Sequence, residues 1–245
     1  MENVTKNEPL RSFGGKMKAV TFSYDDGVTQ DRRLVHILNK YGLKCTFNIN
    51  SAKLGEPWNI YQQGANLAHV KLHPDEVRKV YEGHEIAVHT LHHPALRSLS
   101  DEDIIKEVEE DRVRLSELAG YEVVGMAYPG GTTCMNAHVA DVIRDNTGVK
   151  YSRTTTATYK FELPADLLVL DPTVHHHADM DGLFRLAEEF IDLRPDSPKM
   201  FYIWGHAYEF DVAETEWERF EEFCRLISGR SDIYYGTNRE VLLGY

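Results

Sequence analysis

Cysteine is scarce in this chain of 245 residues. There are three, Cys45, Cys134 and Cys224, and none lies near another. That gives neither a disulfide framework nor a thiolate metal site, so three buried free thiols are expected. Long apolar runs are missing as well. None approaches the ~18 residues that a membrane span requires, and no membrane partner is expected. Positive charge is in short supply: 27 Lys and Arg stand against 39 Asp and Glu, a net charge of −12 with His neutral. Such a balance argues against nucleic acid or anionic lipid as the main partner. It does not by itself argue for a cationic substrate. No internal repeat and no low-complexity tract is found. The polar stretch Met1–Lys18 lacks the apolar segment of a signal peptide, so a cytoplasmic location is expected. A chain trimmed of its export signal would read the same.

What is present is enough for one core. Hydrophobic residues make up 42% of the chain, and α/β barrels reach this length as one domain. Residues 1–15 read as an N-terminal arm ending in Gly14-Gly15, followed by one catalytic domain over 16–245. Short apolar runs then alternate with amphipathic segments. The runs predict strands at Ala19–Tyr24, Thr46–Asn50, Glu85–His89, Val123–Tyr128, Tyr151–Thr154, Leu167–Leu170, Met200–Trp204 and Ile233–Tyr235. Helices are expected at Thr29–Tyr41, Pro74–Glu82, Asp101–Leu118, Asn136–Asn146, Gly182–Leu193 and Thr215–Ser228. Residues 51–73 break the alternation and read as a long loop over one mouth. Repeated β-then-α order implies a parallel sheet with helices outside. About seven or eight strands favour an imperfect (β/α) barrel.

Several polar residues fall where predicted strands end: Asp25-Asp26, His89, Tyr128-Pro129-Gly130, Asp171 and His206. In barrels that is the catalytic face. One Asp and two His would make a three-ligand metal site with positions left open for water and substrate. A spare carboxylate could then accept a proton. Asp25 and Asp26 would point to opposite sides of an extended strand, but Gly27 allows the backbone to bend. The alternative is that one of them caps the following helix. His89 and His93 are four apart, which on a helical turn shares one face; His92 is also available. His206, closing an apolar run with Glu209 three residues on, has the chemistry to protonate a leaving amine. Its alternative is a structural role. The consecutive His175, His176 and His177 cannot all face one centre, and His175 or His177 is the candidate to serve the same site.

These motifs resemble those of the polysaccharide deacetylase family (the NodB-homology domain, or carbohydrate esterase family 4), in matching order over roughly residues 17–240. Thr21-Phe22-Ser23-Tyr24-Asp25-Asp26-Gly27 resembles the family's first motif. Residues 83–94, Gly-His-Glu-Ile-Ala-Val-His-Thr-Leu-His-His-Pro, resemble its second over a dozen positions. The resemblance implies an imperfect (β/α) barrel, Asp25 as general base, Asp26, His89 and His93 as metal ligands, and His206 as general acid. It also implies that the Gly130 N–H binds the oxyanion, with Tyr128 and Trp204 beside the substrate. Two departures stand out. The third motif reads Ala127-Tyr128-Pro129-Gly130-Gly131, with Ala127 where the family has an arginine. Asp25 must then find another cation, and Arg153 on the next strand is the candidate. The family's Asp-Trp motif is absent; Asp171-Pro172-Thr173-Val174-His175 falls in its region without the Trp.

The expected activity is therefore a metal-dependent deacylase that removes acetyl groups from N- or O-acetylated sugars. Asp171, His175, Glu209 and Arg153 are its supporting residues. Nitrogen and oxygen donors suit zinc, with cobalt, nickel or iron also allowed. The partner expected is a small molecule or an oligosaccharide. Two other readings stay open: a hydrolase of small linear or cyclic non-sugar amides on the same barrel, and a carbohydrate-binding protein with a decayed site. The exact substrate and the oligomeric state are not legible.

Overall fold

The computed structural model describes residues 12–245 apart from Gln63 and Ala178. Residues 1–11 of the expected arm lie outside this set. Of its remainder, Phe13 is buried, and its backbone N–H and C=O pair with Lys16.

The expected alternation is present. Eight strands form one parallel sheet: β1 (Lys18–Asp25), β2 (Cys45–Ile49), β5 (Glu85–Val88), β6 (Gly125–Ala127), β7 (Tyr151–Arg153), β8 (Val174–His175), β9 (Lys199–His206) and β10 (Ile233–Tyr235). Their order is β7-β6-β5-β2-β1-β9-β8. β2 pairs with the C-terminal half of β1, from Phe22 to Asp25, and β10 with its N-terminal end, from Lys18 to Val20. The sheet curls into an imperfect barrel in a single domain. The helices are α1 (Asp31–Lys40), α2 (Val77–Val80), α3 (Asp101–Ala119), α4 (Ala137–Asn146), α5 (Met180–Asp192), α6 (Glu214–Ile227) and α7 (Asn238–Leu243). No helix among the described residues is long and apolar enough to cross a membrane.

All eight residues of β1 are buried, as befits a strand covered on both faces. The period of two separates them. Val20, Phe22 and Tyr24 join the large apolar layer beneath the helices. Ala19 belongs to a second, smaller cluster with Tyr151, Met200 and Tyr202. On the same face as Ala19, Ser23 and Asp25 join a buried polar ladder: Asn48 Nδ2 donates to Ser23 Oγ (2.8 Å) and to Asp25 Oδ1 (2.9 Å). Strand periodicity thus carries Asp25 into the barrel interior.

α3 shows how local sequence sets an element. Ser100 Oγ accepts from the Asp103 N–H, three acidic residues fill the first turn, and Gly120 closes the end at φ 79°. Such a cap contributes ~1 kcal/mol.

Four expectations need correction. Residues 51–73 hold a two-stranded antiparallel hairpin, β3 (Asn59–Gln62) and β4 (Ala65–Ala68), turned at Gly64 with φ 81°. Strands this short carry little periodicity. Leu167–Leu170 is not a strand, and the place expected for it in the sheet is taken by β8, Val174–His175, which was not expected. Asp166 Oδ1 accepts from the Leu168 N–H, a local turn that competes with a ladder. The segment still helps close the barrel: Ser152 N–H donates to Leu167 C=O (2.7 Å) and Thr154 N–H to Leu170 C=O (2.8 Å), and Thr173 N–H then reaches Tyr202 C=O on β9 (2.9 Å). The helix expected over Pro74–Glu82 is a single turn, Val77–Val80. Helix α7 was not expected, although Thr237 and Glu240 form a capping box there.

Candidate functional site

β1 ends at two adjacent carboxylates that meet different partners. Asp25 accepts from Arg153 Nη2 on both oxygens (2.6 and 2.5 Å). Arg153 is fully buried on β7, lies 4.4 Å from the Trp204 ring, and also donates through Nε to Ser23 Oγ. The cation expected to replace the missing arginine is therefore in contact. Burial disfavours a charged Asp25, but Arg153, helped by His89 and His206, outweighs it and holds the carboxyl below its ordinary range.

Asp26 does not cap α1, whose N-cap is Gln30. It turns at φ 83°, a left-handed conformation rare outside glycine, and Gly27 follows at φ 64°. That bend brings both carboxylates to one mouth. Asp26 Oδ1 accepts from Lys71 Nζ (3.1 Å) and Oδ2 from His69 Nε2 (3.1 Å), both from the chain leaving the hairpin. The sequence reading missed both residues, because nothing in a presumed loop marked them. Burial opposes ionisation here too; Lys71 and the His69 hydrogen bond overcome it, and the Asp26 carboxyl sits well below its usual range.

His89 and His93 do lie together, with ring centroids 4.8 Å apart. They are not on a helical turn. The segment is a loop with Thr90 at φ 65° and His93 at φ 62°, pinned by the His93 N–H donating to Thr90 Oγ1 (3.0 Å). Three of the four non-glycine residues with positive φ among those described, Asp26, Thr90 and His93, sit at this mouth. Each such conformation costs of order ~1–3 kcal/mol, and strain of this kind gathers at functional sites. The backbone of His89 is held from α3: Asp111, a buried carboxyl that burial pushes up to about 7, accepts from the His89 N–H (3.2 Å) and the Ser51 N–H (2.8 Å).

Asp26, His89 and His93 each offer one donor atom, all within 4.8 Å of one another. The chemistry of the set fits a divalent cation. His89 Nδ1 lies 2.8 Å from the Ala127 carbonyl, which can only accept, so the proton is on Nδ1 and the lone pair on Nε2. Burial holds His89 at about 4 and lowers His93 as well, so both imidazoles are neutral. A carboxylate has about four acceptor positions, so Asp26 keeps room beside Lys71 and His69. His92 is not part of the set; exposed, it pairs with Glu107 at 2.7 Å.

His206 closes β9 opposite Asp25. Its Nε2 is 4.0 Å from Asp25 Oδ2 and 3.9 Å from Asp26 Oδ2. Its Nδ1 is 3.3 Å from Glu209 Oε1, an ion-pair distance not aligned as a hydrogen bond. Burial pushes His206 down, but Glu209, with Asp26 and Asp25, raises it to about 9. Glu209 is itself buried, and His206 and His175 hold its carboxyl well below the usual range against the opposing effect of burial. It accepts from the His206 N–H (2.9 Å), from His175 Nε2 (2.9 Å) and from Gln62 Nε2 on β3 (3.2 Å).

Asp25, Asp26, His89, His93 and His206 line a cavity of about 580 Å³, together with Tyr128, Gly130, Trp204, Trp58 and Lys53. Gly130 turns at φ 62°. Tyr128 is anchored by its hydroxyl donating to Leu168 C=O (2.8 Å). Asp171 is not brought in: it is exposed, outside the cavity, and accepts from the Thr154 hydroxyl. His175 does not line the cavity but touches its wall, through Glu209 and through its ring stacked on Trp204 at 4.4 Å, and His177 does not line it either.

A family model described as polysaccharide deacetylase matches residues 14–151. A chitin deacetylase from Colletotrichum lindemuthianum is 27% identical over 194 residues, which cover 71% of this chain and 72% of that protein. Among solved structures, a protein described as a candidate polysaccharide deacetylase from Mycobacterium smegmatis aligns with a TM-score of 0.70 over 99% of this chain and 94% of its own, at 16% identity. A family 4 carbohydrate esterase from Streptomyces lividans in complex with acetate gives 0.55 over 91% and 92%, at 12% identity. At such identities these two report on the fold alone.

Proposed function

The chain belongs to the polysaccharide deacetylase family and is a hydrolase of carbon–nitrogen bonds; from that premise we propose that it removes acetyl groups from N- or O-acetylated sugars, with its catalytic domain over residues 16–245. The observation that carries this reading is the convergence of Asp25, Asp26, His89, His93 and His206 on one cavity.

Asp26, His89 and His93 are the residues that would hold a divalent cation, and their N,O donor set suits zinc. Such a cation supplies polarisation of the acyl oxygen and a more acidic water. The chain's own groups do the rest. Asp25, kept ionised by Arg153 and Asn48, takes the proton of the attacking water. The Gly130 N–H receives the developing oxyanion, a contact worth ~3 kcal/mol in comparable sites. His206, raised to about 9 beside Glu209, holds a proton at neutral pH and delivers it to the departing amine.

Support for a sugar comes from the hairpin. Trp58 is 69% exposed at the cavity rim, and Tyr61, 76% exposed, follows on β3. Exposed aromatic faces of this kind offer apolar platforms with a polar edge. Acetate release from N-acetylated chitooligosaccharides, measured beside ureides and simple amides, tests the proposal. Release from the oligosaccharides is the expected result. Turnover of the ureides or simple amides alone would overturn the sugar assignment and leave a small-amide hydrolase.

A further inference from the structure

A second group of donors lies on the other side of β9. Strand β8 pairs with it in parallel, placing His175 opposite Trp204, and the His176 N–H donates to the Trp204 carbonyl (2.9 Å). The turn after β9 brings Glu209 back beside them. His175, His176 and Glu209 each offer one atom, all within 4.8 Å of one another. Glu209 Oε2 is 2.9 Å from His175 Nε2 and 3.7 Å from His176 Nε2. Ligand atoms around a tetrahedral zinc with ~2.05 Å bonds stand ~3.3 Å apart, between those two values.

His176 supplies the independent observation. It is fully buried against the rings of Tyr24 and Phe210, with centroids at 5.4 and 4.2 Å, and neither ring nitrogen has a hydrogen-bond partner. Buried polar groups are nearly always paired, so an imidazole orphaned at both nitrogens calls for a missing partner. The ring's placement is enforced. A Cβ on Gly205 would come within 1.9 Å of His176 Nδ1, so glycine is what lets the ring lie there. Nε2 is then the atom that faces Glu209. The His175 side chain, 22% exposed, gives an ion a way in from solvent.

We propose that His175, His176 and Glu209 form a second divalent-cation site of zinc type, separate from Asp26, His89 and His93. Its two imidazoles and one carboxylate are ordinary zinc ligands, and three of them leave a position for water. Without the cation, His175 Nε2 donates to Glu209. With it, that proton moves to Nδ1 and the Nε2 lone pair binds the metal. Glu209 Oε1 stays turned toward His206, so the ion would tie β8 to the turn that carries that carboxylate.

The test is zinc stoichiometry by elemental analysis after equilibrium dialysis of the full chain. Wild type should bind two zinc ions per chain. The double variant His89→Ala/His93→Ala, altered only at the mouth, should keep one. Adding His176→Phe, which preserves the aromatic stack, should bring that to none. Cobalt substituted into the mouth double variant should give the intense visible bands of a four-coordinate site, and His175→Ala should abolish them. One zinc in wild type together with none in the mouth double variant would overturn the proposal, whatever the fate of His176→Phe. The outcome is independent of whether the substrate is a sugar.

Discussion

Two clusters of two histidines and one carboxylate flank the end of β9, and they differ in strain and in surroundings. At the mouth, Asp26 comes from the end of β1 and His89 and His93 from the loop after β5, and two of the three have left-handed backbones. On the far side, His175 and His176 are neighbours, and neither has a positive φ. The mouth cluster opens on the cavity and stands beside Asp25, a carboxylate held charged by a buried guanidinium. Among the described residues the far cluster has no second carboxylate beside it to accept a proton, and it is walled by Tyr24, Phe210 and Trp204. Hydrolysis needs a base beside the ion, which the mouth has in Asp25; a ligand set packed among aromatic rings without one serves to hold an ion.

The sharpest way to test that contrast is to remove the base and leave the ligands. Asp25→Asn should lower kcat on an acetylated oligosaccharide by ~10²–10⁴-fold, since Asn accepts hydrogen bonds but takes no proton at neutral pH. Metal content should not change. Undiminished kcat in the zinc-loaded variant would remove Asp25 from the mechanism.

His206→Ala separates the acid from its surroundings. An amine cannot leave as an anion, whereas a phenolate can. Amide hydrolysis should therefore fall by ~10²-fold or more, and aryl acetate hydrolysis by at least about tenfold less. Equal losses on the two substrates, in one zinc-loaded preparation, would point to a structural role.

Acid should remove the contribution of His89 at the mouth of the metal-free protein, because burial holds it neutral at about 4 against an ordinary 6.5. Between those values the unfolded chain binds more protons at this position than the folded one, so its contribution to stability is lost as pH drops from about 6.5 to about 4, whereas Asp111 and Asp31, pushed up to about 7 and about 8, act in the opposite sense. The unfolding free energy of wild type minus that of His89→Ala should therefore fall over that range by of order a few kcal/mol, read from urea midpoints. Zinc should move that loss to lower pH, because it binds neutral imidazole. A difference that stays flat over that range would contradict a buried, neutral His89.

The smallest expected effect is at the rim. Trp58→Ala should raise KM for the oligosaccharide by ~2–10-fold with kcat unchanged, the loss of one aromatic platform. An unchanged KM would remove Trp58 from the binding surface.

Much of the mouth was legible in the sequence because its residues are tied to strand ends. Asp25, His89 and His206 follow apolar runs whose periodicity is clear, and the resemblance added their roles. Arg153 was reached by asking which cation could stand in for the family arginine whose place Ala127 holds. Lys71 and His69 were not legible: they depend on a hairpin whose strands of four residues each give little pattern, and on pairings over 40 residues apart. Asp111 was hidden in the polar spacing of α3, where a carboxylate reads as solvent-facing. The left-handed turns at Asp26 and His93 were also invisible, since neither residue type announces positive φ as glycine does. Asp171 was the opposite error, a carboxylate at a presumed strand end that the irregular closing segment leaves facing solvent.

The most direct test of the central claim is to measure zinc content and acetate release on the same His89→Ala preparation. Of the three residues proposed to hold the ion, His89 is the one whose tautomer and backbone are both fixed, by Ala127 and Asp111. The variant should lose one zinc per chain and, with it, acetate release from acetylated chitooligosaccharide. Wild-type zinc content with wild-type acetate release would contradict the central claim.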